Sequence, residues 1–296
     1  MPGFGDNRLA PTTFIHRAGT LRHRLRELKH VALDMDGTIY RGGTLFEFTN
    51  WFLAWLTELG IGYTFLTNNS SRSVKAHRAH LRRLGVTVTR GQLLTSTQAT
   101  LDYLRQALPA VRKIFVLGTA GMCEELAAAG YTVATDSATD EPEAVVVGFD
   151  TELTFARLCR AAWWIKLGKP YLASHPDYFC PTDAPTVLVD CGSVCAALHA
   201  ATGRGPDVIL GKPDPWMLHG LLERTGLQSE QLAMVGDRLH TDMAMAKYVG
   251  ALGVLVLTGE TTAAEAATHQ PPPDLVVKNL AEFGEQLRVA RAGMVF

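Results

Sequence analysis

The sequence predicts an α/β fold with a doubly wound parallel sheet, and three observations support this prediction. Short apolar runs alternate with segments whose apolar residues recur at helical spacing, as in strand–helix–strand units. Several of these runs end abruptly in polar residues, as strands do where open α/β sheets bind ligands. Hydrophobic residues make up 47% of the 296 residues and charged residues 19%, which is sufficient for a sizeable core.

The first hundred residues supply a basic helix and two strand–helix pairs. Residues 1–18 are expected to be loosely structured. Gly60 and Gly85 follow helical segments and act as stop signals, because glycine readily closes a helix. In chain order, the predicted elements are helix 19–29, strand 30–35, helix 46–59, strand 61–66 and helix 73–84.

The middle of the chain, residues 101–206, repeats this alternation and is long enough to form a domain of its own. Glycines again close its helical segments. In chain order, the predicted elements are strand 114–117, helix 122–129, strand 144–148, helix 155–167, strand 171–173 and helix 192–201.

The last part of the chain, residues 207–296, returns to the pattern of the first hundred residues. Three consecutive prolines at 271–273 form a stiff stretch before the final strand. In chain order, the predicted elements are strand 208–210, helix 216–225, strand 232–235, helix 243–249, strand 253–257 and strand 275–277.

Charge, cysteine usage and hydropathy exclude several classes of protein. The net charge of −1 does not fit the strongly basic surface typical of nucleic-acid binding. The five cysteines form no CxxC pair, so free thiols in a reducing compartment are expected rather than a zinc site. The arginine-rich first thirty residues carry no signal-peptide core, and no apolar stretch is long enough to span a bilayer. We therefore expect a cytoplasmic protein with neither nucleic acid nor membrane as its partner.

Two carboxylates, Asp34 and Asp36, end the first predicted strand. They would share one face if the strand continued through both, because alternate residues of a strand point the same way. Two such close charges are costly to bury without a cation, and Mg²⁺ is the hard cation that best suits oxygen ligands. The alternative is ordinary turn chemistry, since Asp36-Gly37 is a common turn sequence.

Three further strand ends carry polar residues that a parallel sheet would bring to the same edge. Thr67 and Asn68 follow the second strand, Lys212 follows strand 208–210, and Asp237 with Asp242 follow strand 232–235. Simpler interpretations exist: Thr67 could only cap a helix, Lys212 could lie on the surface, and Asp242 could be a helix N-terminal carboxylate.

Together these groups suit phosphoryl transfer, in which catalysis depends on positioning and on neutralising charge. Asp34 would attack phosphorus and form an aspartyl-phosphate, while Asp36 would protonate the leaving oxygen and later activate water. Thr67, the amide of Asn68 and the Lys212 ammonium would hold the phosphoryl oxygens.

The same hypothesis assigns a magnesium site to four carboxyl-bearing residues. Asp34 and Asp237 would bind Mg²⁺ directly, and Asp36 would contribute through its backbone carbonyl. Asp242 would bind through water or orient the other ligands.

The motifs DMDGT, Thr67-Asn68-Asn69, Lys212-Pro213 and GDRLHTD resemble, in order, the four motifs of the haloacid dehalogenase superfamily. The finer resemblance is to its NagD-like, p-nitrophenyl phosphatase class (class IIA). It implies a Rossmann-like catalytic core, residues 1–100 and 207–296, with an inserted C2-type α/β cap at 101–206. It also implies a phosphate-binding role for Asn69 and a homodimer.

The cap loop Ser174-His175-Pro176-Asp177 is part of this resemblance and departs from it at one position. Relatives more often carry Asn where this chain has His175, and the loop faces the substrate in related enzymes. We therefore expect His175 and Asp177 to contact substrate, with a simple turn as the alternative. His240 also stands where many relatives carry an acidic residue.

The resulting functional prediction is a Mg²⁺-dependent phosphatase, a phosphoric monoester hydrolase. Its expected partner is a small phosphorylated metabolite, because a cap over the site excludes large substrates. Sugar phosphates, glycerol phosphate, nucleotides and aryl phosphates all fit the sequence. The alternatives are phosphoryl transfer to an acceptor other than water, and a metabolite-binding protein without catalytic activity.

Overall fold

The structure is a computed structural model that describes residues 21–181 and 185–292 of the chain. The segment 1–18, predicted to be loosely structured, lies outside the described residues. Of the predicted helix 19–29, the described part is helical over 21–27, which we label α1.

Fifteen strands and eleven helices are formed by the described residues. The strands are β1 (His30–Asp34), β2 (Tyr40–Arg41), β3 (Thr44–Leu45), β4 (Gly62–Thr67), β5 (Leu93–Thr95), β6 (Lys113–Leu117), β7 (Thr132–Val133), β8 (Ala144–Val147), β9 (Tyr171–Ala173), β10 (Phe179–Pro181), β11 (Val187–Val189), β12 (Val208–Ile209), β13 (Leu232–Gly236), β14 (Leu252–Val256) and β15 (Leu275–Val277). After α1, the helices are α2 (Thr49–Glu58), α3 (Val74–Arg83), α4 (Ser96–Ala107), α5 (Ala120–Ala128), α6 (Phe155–Lys166), α7 (Cys191–Thr202), α8 (Trp216–Thr225), α9 (Ala244–Val249), α10 (Ala263–Thr268) and α11 (Leu280–Ala292).

The first sheet has six parallel strands in the order β15-β14-β13-β1-β4-β5. Strands β4 and β5, which come next in this sheet along the chain, lie on one side of β1. Strands β13, β14 and β15, which come later in the chain, lie on the other side. This arrangement is the predicted doubly wound parallel sheet. The order reverses between β1 and β13, and open α/β sheets bind ligands at such a reversal point.

Strand β1 lies at the centre of this sheet because both of its faces are apolar. Val31, Ala32 and Leu33 are fully buried, and their side chains alternate between two hydrophobic clusters. Helices α2 and α11 cover one face of the sheet, and Phe52 of α2 contacts Phe283 of α11 there. Helices α8 and α9 cover the other face.

The second sheet lies between β5 and β13 in the sequence, where an inserted unit was predicted. Its five parallel strands have the order β12-β9-β8-β6-β7 and a hydrophobic core of their own. Strand β12 pairs with β9 in this sheet, although its residues were predicted to belong with the last part of the chain. The chain therefore returns to the first sheet only after Ile209, just beyond the predicted boundary at residue 206.

Several elements were not predicted from the sequence. They are helices α4, α10 and α11, strands β5 and β7, and the antiparallel hairpins β2–β3 and β10–β11. Strand β12 was predicted, but its membership of the second sheet was not. Helix α11 carried a readable signal, since Leu280, Phe283 and Leu287 recur at helical spacing and are fully buried. The two hairpins are short and depend on pairing rather than on a periodic pattern.

Two further observations concern the cysteines and the lengths of the helices. None of the five cysteines, all within the described residues, forms a disulfide; Cys191 and Cys195 are buried, whereas Cys159 is exposed. None of the helices formed by residues 21–181 and 185–292 is both long and apolar enough to cross a bilayer.

Candidate active site

The candidate site lies at the carboxyl ends of β1 and β13, at the reversal point of the first sheet. Strand β1 ends at Asp34, so Asp36 lies beyond it and does not continue the same strand face as the sequence suggested. The chain turns back at Gly37, which has a φ of +82°, and the Ile39 amide donates to the Met35 carbonyl at 2.9 Å. The turn leaves Asp34 buried and Asp36 exposed at the mouth of the cleft.

Lys212 is the only ammonium among the described residues that line the cleft, and it is 3% exposed. Its Nζ contacts Asp34 Oδ1 and lies 2.8 Å from Asp242 Oδ1. Burial opposes the charge of Lys212, but the Asp242 and Asp34 carboxylates outweigh it and raise its pKa. Thr38 Oγ1 donates to the second oxygen of Asp34 at 3.2 Å. Lys212 is therefore an internal residue of the site and not a surface lysine.

The side chain of Asn68 holds the backbone of Lys212 in place. Asn68 Oδ1 accepts from the Lys212 amide at 2.7 Å, and Asn68 Nδ2 donates to the Lys212 carbonyl at 2.9 Å. Asn68 follows β4, while the Lys212-Pro213 peptide, which is cis, follows β12. One side-chain amide thus joins the ends of strands from the two sheets.

Thr67 and Asn69 line the cleft beside Asn68. Thr67 Oγ1 accepts from the Asn69 amide at 3.1 Å and does not cap the next helix, whose N-cap is Ser73. Asn69 Oδ1 accepts from the amide and the hydroxyl of Ser71. The capping interpretation of Thr67 is therefore excluded by the structure.

Asp237 and Asp242 approach Asp34 from the loop that follows β13. A π-helical turn, Leu239–Met243, brings Asp242 back toward the strand end, and such turns are frequent at functional sites. Candidate ligand oxygens of Asp34, Asp237 and Asp242 all lie within 4.8 Å of one another. Asp237 Oδ2 accepts from the Glu260 amide at 2.6 Å, whereas its Oδ1 is buried without a hydrogen-bond partner among the described residues.

These buried carboxylates carry more negative charge than Lys212 can balance. Burial raises the pKa of Asp237, and the facing carboxylates of Asp34 and Asp242 raise it further. Burial also raises the pKa of Asp242, against the opposing effect of Lys212. A divalent cation would favour the charged forms and give Asp237 Oδ1 a partner, so these oxygens fit a hard metal ion. The Asp36 carboxylate is not part of this group of oxygens.

Two glycines give the carboxylates the space they occupy. A Cβ at Gly236 would lie 2.2 Å from the Asp242 carboxylate, and one at Gly259 would lie 1.8 Å from Asp237 Oδ2. Any side chain at either position would push a carboxylate away from its neighbours.

The cap loop after β9 contributes to the site through Asp177 and not through His175. Asp177 lines the cleft, accepts from Asn68 Nδ2 at 3.0 Å and lies 3.9 Å from Arg238 Nη1. His175 is fully buried and is not among the residues that line the cleft, so the structure does not bring it to the predicted substrate position. Its ring nitrogens pair with Ser174 Oγ and Asp190 Oδ1, each at 2.8 Å.

His175, Asp177 and Asp190 form a second group of possible metal ligands within 4.8 Å of one another. Burial lowers the pKa of His175, but Cys191 and the Asp190 carboxylate outweigh this effect and the pKa rises to about 9. All three side chains have protein partners, and the Arg238 guanidinium beside Asp177 opposes a cation. The group is better described as an internal ion-paired network.

Six residues that line the cleft were not singled out in the sequence. They are Tyr40, Phe179, Cys180, Asp190, Arg238 and Thr241. Arg238 and Thr241 stand within GDRLHTD, so that motif could have indicated them. Phe179 and Cys180 belong to the β10–β11 hairpin, and Asp190 follows it. No local sequence pattern indicated this hairpin.

Two family models match separate parts of the chain. A model described as haloacid dehalogenase-like hydrolase matches residues 31–132. A second model of HAD-like hydrolases matches residues 209–283. The matched segments contain Asp34, Lys212 and Asp237.

Several proteins that are similar to this chain carry the names of phosphatases. A 4-nitrophenylphosphatase from Thermotoga maritima, known from a crystal structure, shares 38% sequence identity with this chain. The two structures superpose with a TM-score of 0.84, and the match covers 89% of this chain and 98% of that chain. A glycerol phosphate phosphatase from Mycobacterium tuberculosis, in complex with magnesium, is 30% identical, with a TM-score of 0.81 over 90% of this chain and 79% of that one. An acid sugar phosphatase from Staphylococcus aureus is 29% identical over 87% of this chain and 97% of its own length.

The close approach at Gly236 gives a first prediction. Gly236→Ala places a methyl group against the Asp242 carboxylate, so we expect the free energy of unfolding to fall by about 1–3 kcal/mol. Phosphatase activity should fall with it, because Asp242 moves away from Lys212. Urea unfolding and a steady-state assay measure the two effects.

Gly220→Ala is the matched control, because a Cβ there meets open space within α8. Alanine suits a helix better than glycine, so this variant should gain roughly 0.5–1 kcal/mol and keep its activity. Equal stability of the Gly236→Ala protein and the parent would contradict the crowding described at Asp242.

Proposed function

Because the chain belongs to the haloacid dehalogenase-like hydrolases and is a phosphoric monoester hydrolase, we propose that it hydrolyses small phosphorylated metabolites through a phosphorylated Asp34. The observation that carries this proposal is the position of Asp34. It lies at the reversal point of the sheet, beside the ammonium of Lys212 and at the base of the cleft. A carboxylate so placed can attack a phosphoryl group whose charge the ammonium neutralises.

In the first step, the Asp34 carboxylate attacks phosphorus and the bond to the ester oxygen breaks. Asp36, at the mouth of the cleft, donates a proton to the departing oxygen. In the second step, Asp36 removes a proton from water, and the resulting hydroxide attacks the phosphorus of the aspartyl-phosphate. Inorganic phosphate leaves and Asp34 returns to its carboxylate form.

The phosphoryl group would be held by Lys212, Thr67 and the segment Asn68-Asn69. The Lys212 ammonium supports this assignment because it already lies against the nucleophile. The Thr67 hydroxyl supports it because it lines the same cleft as Asp34. Asn68 would act at least partly through Lys212, since its side-chain amide is occupied by the Lys212 backbone.

We further propose that Mg²⁺ is the resident cation and that Asp34, Asp237 and the Asp36 carbonyl hold it, with Asp242 close by. The unpartnered Asp237 Oδ1 and the clustered oxygens support this proposal. When bound, the cation would neutralise charge on the phosphoryl oxygens and on the facing carboxylates.

Sugar, glycerol and aryl phosphates are the substrate classes that we propose, because relatives named for them match nearly the whole chain. We propose that the inserted unit, predicted at 101–206, is a cap that limits the size of the leaving group. Its loop residue Asp177 and its hairpin residue Phe179 line the cleft, which supports this role.

A homodimer is also proposed, with the outer face of α6 as the contact. Phe155, Trp163 and Leu167 are 82%, 51% and 52% exposed, and such apolar side chains favour burial against a partner. Light scattering of the parent and of Phe155→Glu would test this: a dimeric parent and a monomeric variant are expected, and a monomeric parent would contradict the proposal.

Loss of the nucleophile tests the reaction. We expect Asp34→Asn to reduce kcat for p-nitrophenyl phosphate by about 10³-fold or more, because the amide cannot attack phosphorus. Circular dichroism checks that the variant folds. Activity equal to that of the parent would show that Asp34 is not the nucleophile.

Cation binding can be tested without turnover. At a Mg²⁺ concentration about 100 times the Kd, binding should add roughly 2.7 kcal/mol to the stability of the parent and raise its Tm. Asp237→Asn should remove most of this rise, because it replaces a ligand oxygen and its charge. A chelator should return the parent to its metal-free Tm. A similar Mg²⁺-induced rise in both proteins would contradict the assigned site.

A further inference from the structure

The Asn68 side chain has three partners, and one of them belongs to the cap loop. Its amide group contacts both the amide and the carbonyl of Lys212, as described above. Its remaining N–H donates to Asp177 Oδ2 at 3.0 Å. A continuous series of contacts therefore runs from Asp177 through Asn68 and Lys212 to Asp34.

The contact with Asp177 acts together with the two Lys212 contacts to fix which way the Asn68 amide faces. An ionised carboxylate only accepts hydrogen bonds, so it must face the Nδ2 side of Asn68. That orientation directs Oδ1 at the Lys212 amide, which needs an acceptor. The reverse orientation would set Nδ2 against the Lys212 N–H and Oδ1 against both the Lys212 carbonyl and the Asp177 carboxylate, leaving all three contacts unfavourable.

The Arg238 guanidinium lies near the other carboxylate oxygen of Asp177. Its Nη1 lies 3.9 Å from Asp177 Oδ1, and its Nε pairs with Glu260 Oε2 at 2.9 Å. Arg238 comes from the loop after β13, the same loop that carries Asp237 and Asp242. The carboxylate of the cap loop thus hydrogen-bonds Asn68 and lies near Arg238, two residues at the first sheet's edge.

We propose that Asp177 is a positioning residue, which orients Asn68 and thereby sets the Lys212 ammonium against Asp34. It acts through Asn68 and Lys212 and needs no contact with the substrate. This inference rests on the proposed function, because it assumes that Lys212 serves phosphoryl transfer from Asp34. If Asp177 has this role, catalysis at the edge of the first sheet depends on a loop that belongs to the second sheet.

The experiment compares Asp177→Ala with Asp177→Asn, using p-nitrophenyl phosphate and Mg²⁺. Alanine removes one of the three contacts that hold the Asn68 side chain, so that side chain can shift, and a misplacement of about 1 Å at a catalytic group can cost roughly 10²-fold. We therefore expect kcat to fall by about that factor in Asp177→Ala while KM changes less than about twofold. Asparagine keeps an acceptor oxygen for Asn68, so Asp177→Asn should recover kcat to within about threefold of the parent.

A double variant tests the route through Asn68. If Asp177 acts only by orienting Asn68, then adding Asp177→Ala to Asn68→Ala should cause no further loss of kcat. Multiplying losses would overturn the proposal. So would a raised KM with unchanged kcat in Asp177→Ala, which is the behaviour of a direct substrate contact.

Failure of the inference can be separated from failure of the proposed function. Asp34→Asn is measured in the same assay, and Tm measurements confirm that every variant is folded. If Asp34→Asn is inactive and Asp177→Ala keeps the parent's kcat, only the positioning role is overturned. If Asp34→Asn retains the parent's kcat, the proposed function fails and the positioning role fails with it.

Discussion

The ion pairs of Lys212 are the interaction on which the rest of the site depends. Its buried ammonium lies against Asp34 and Asp242, and without it those buried carboxylates would face each other and Asp237 with no positive charge between them. Removing one partner of such a buried group leaves an uncompensated charge, which is strongly destabilising. The ammonium therefore supports the fold at this point as well as the proposed phosphoryl transfer.

The fold brings these charges together by using parallel strand ends from both sheets. Asp34 ends β1, Asp237 follows β13, and Lys212 follows β12, which pairs with the second sheet. Glycine at 236 provides the space for a carboxylate, and Asn68 joins the two sheets across the cleft. The second sheet consequently contributes to the construction of the site.

Much of the site could be predicted because its residues follow apolar runs that are visible in the sequence. Asp34, Thr67, Lys212 and Asp237 all stand where such a run ends. The Asn68–Asp177 contact could not be predicted in this way, since it joins side chains 109 positions apart and has no local period. The sheet membership of β12 also depends on pairing, and a two-residue strand carries too little pattern to reveal its neighbour. Residue types alone likewise did not show that His175 is buried.

The most direct test of the account is to look for phosphate on Asp34. The enzyme is mixed with excess p-nitrophenyl phosphate and Mg²⁺, quenched in acid within a turnover, and digested for peptide mass spectrometry. The account predicts the added mass of one phosphoryl group on Asp34. Rapid hydrolysis with no phosphorylated peptide, or with phosphate on another residue, would contradict Asp34 as the nucleophile.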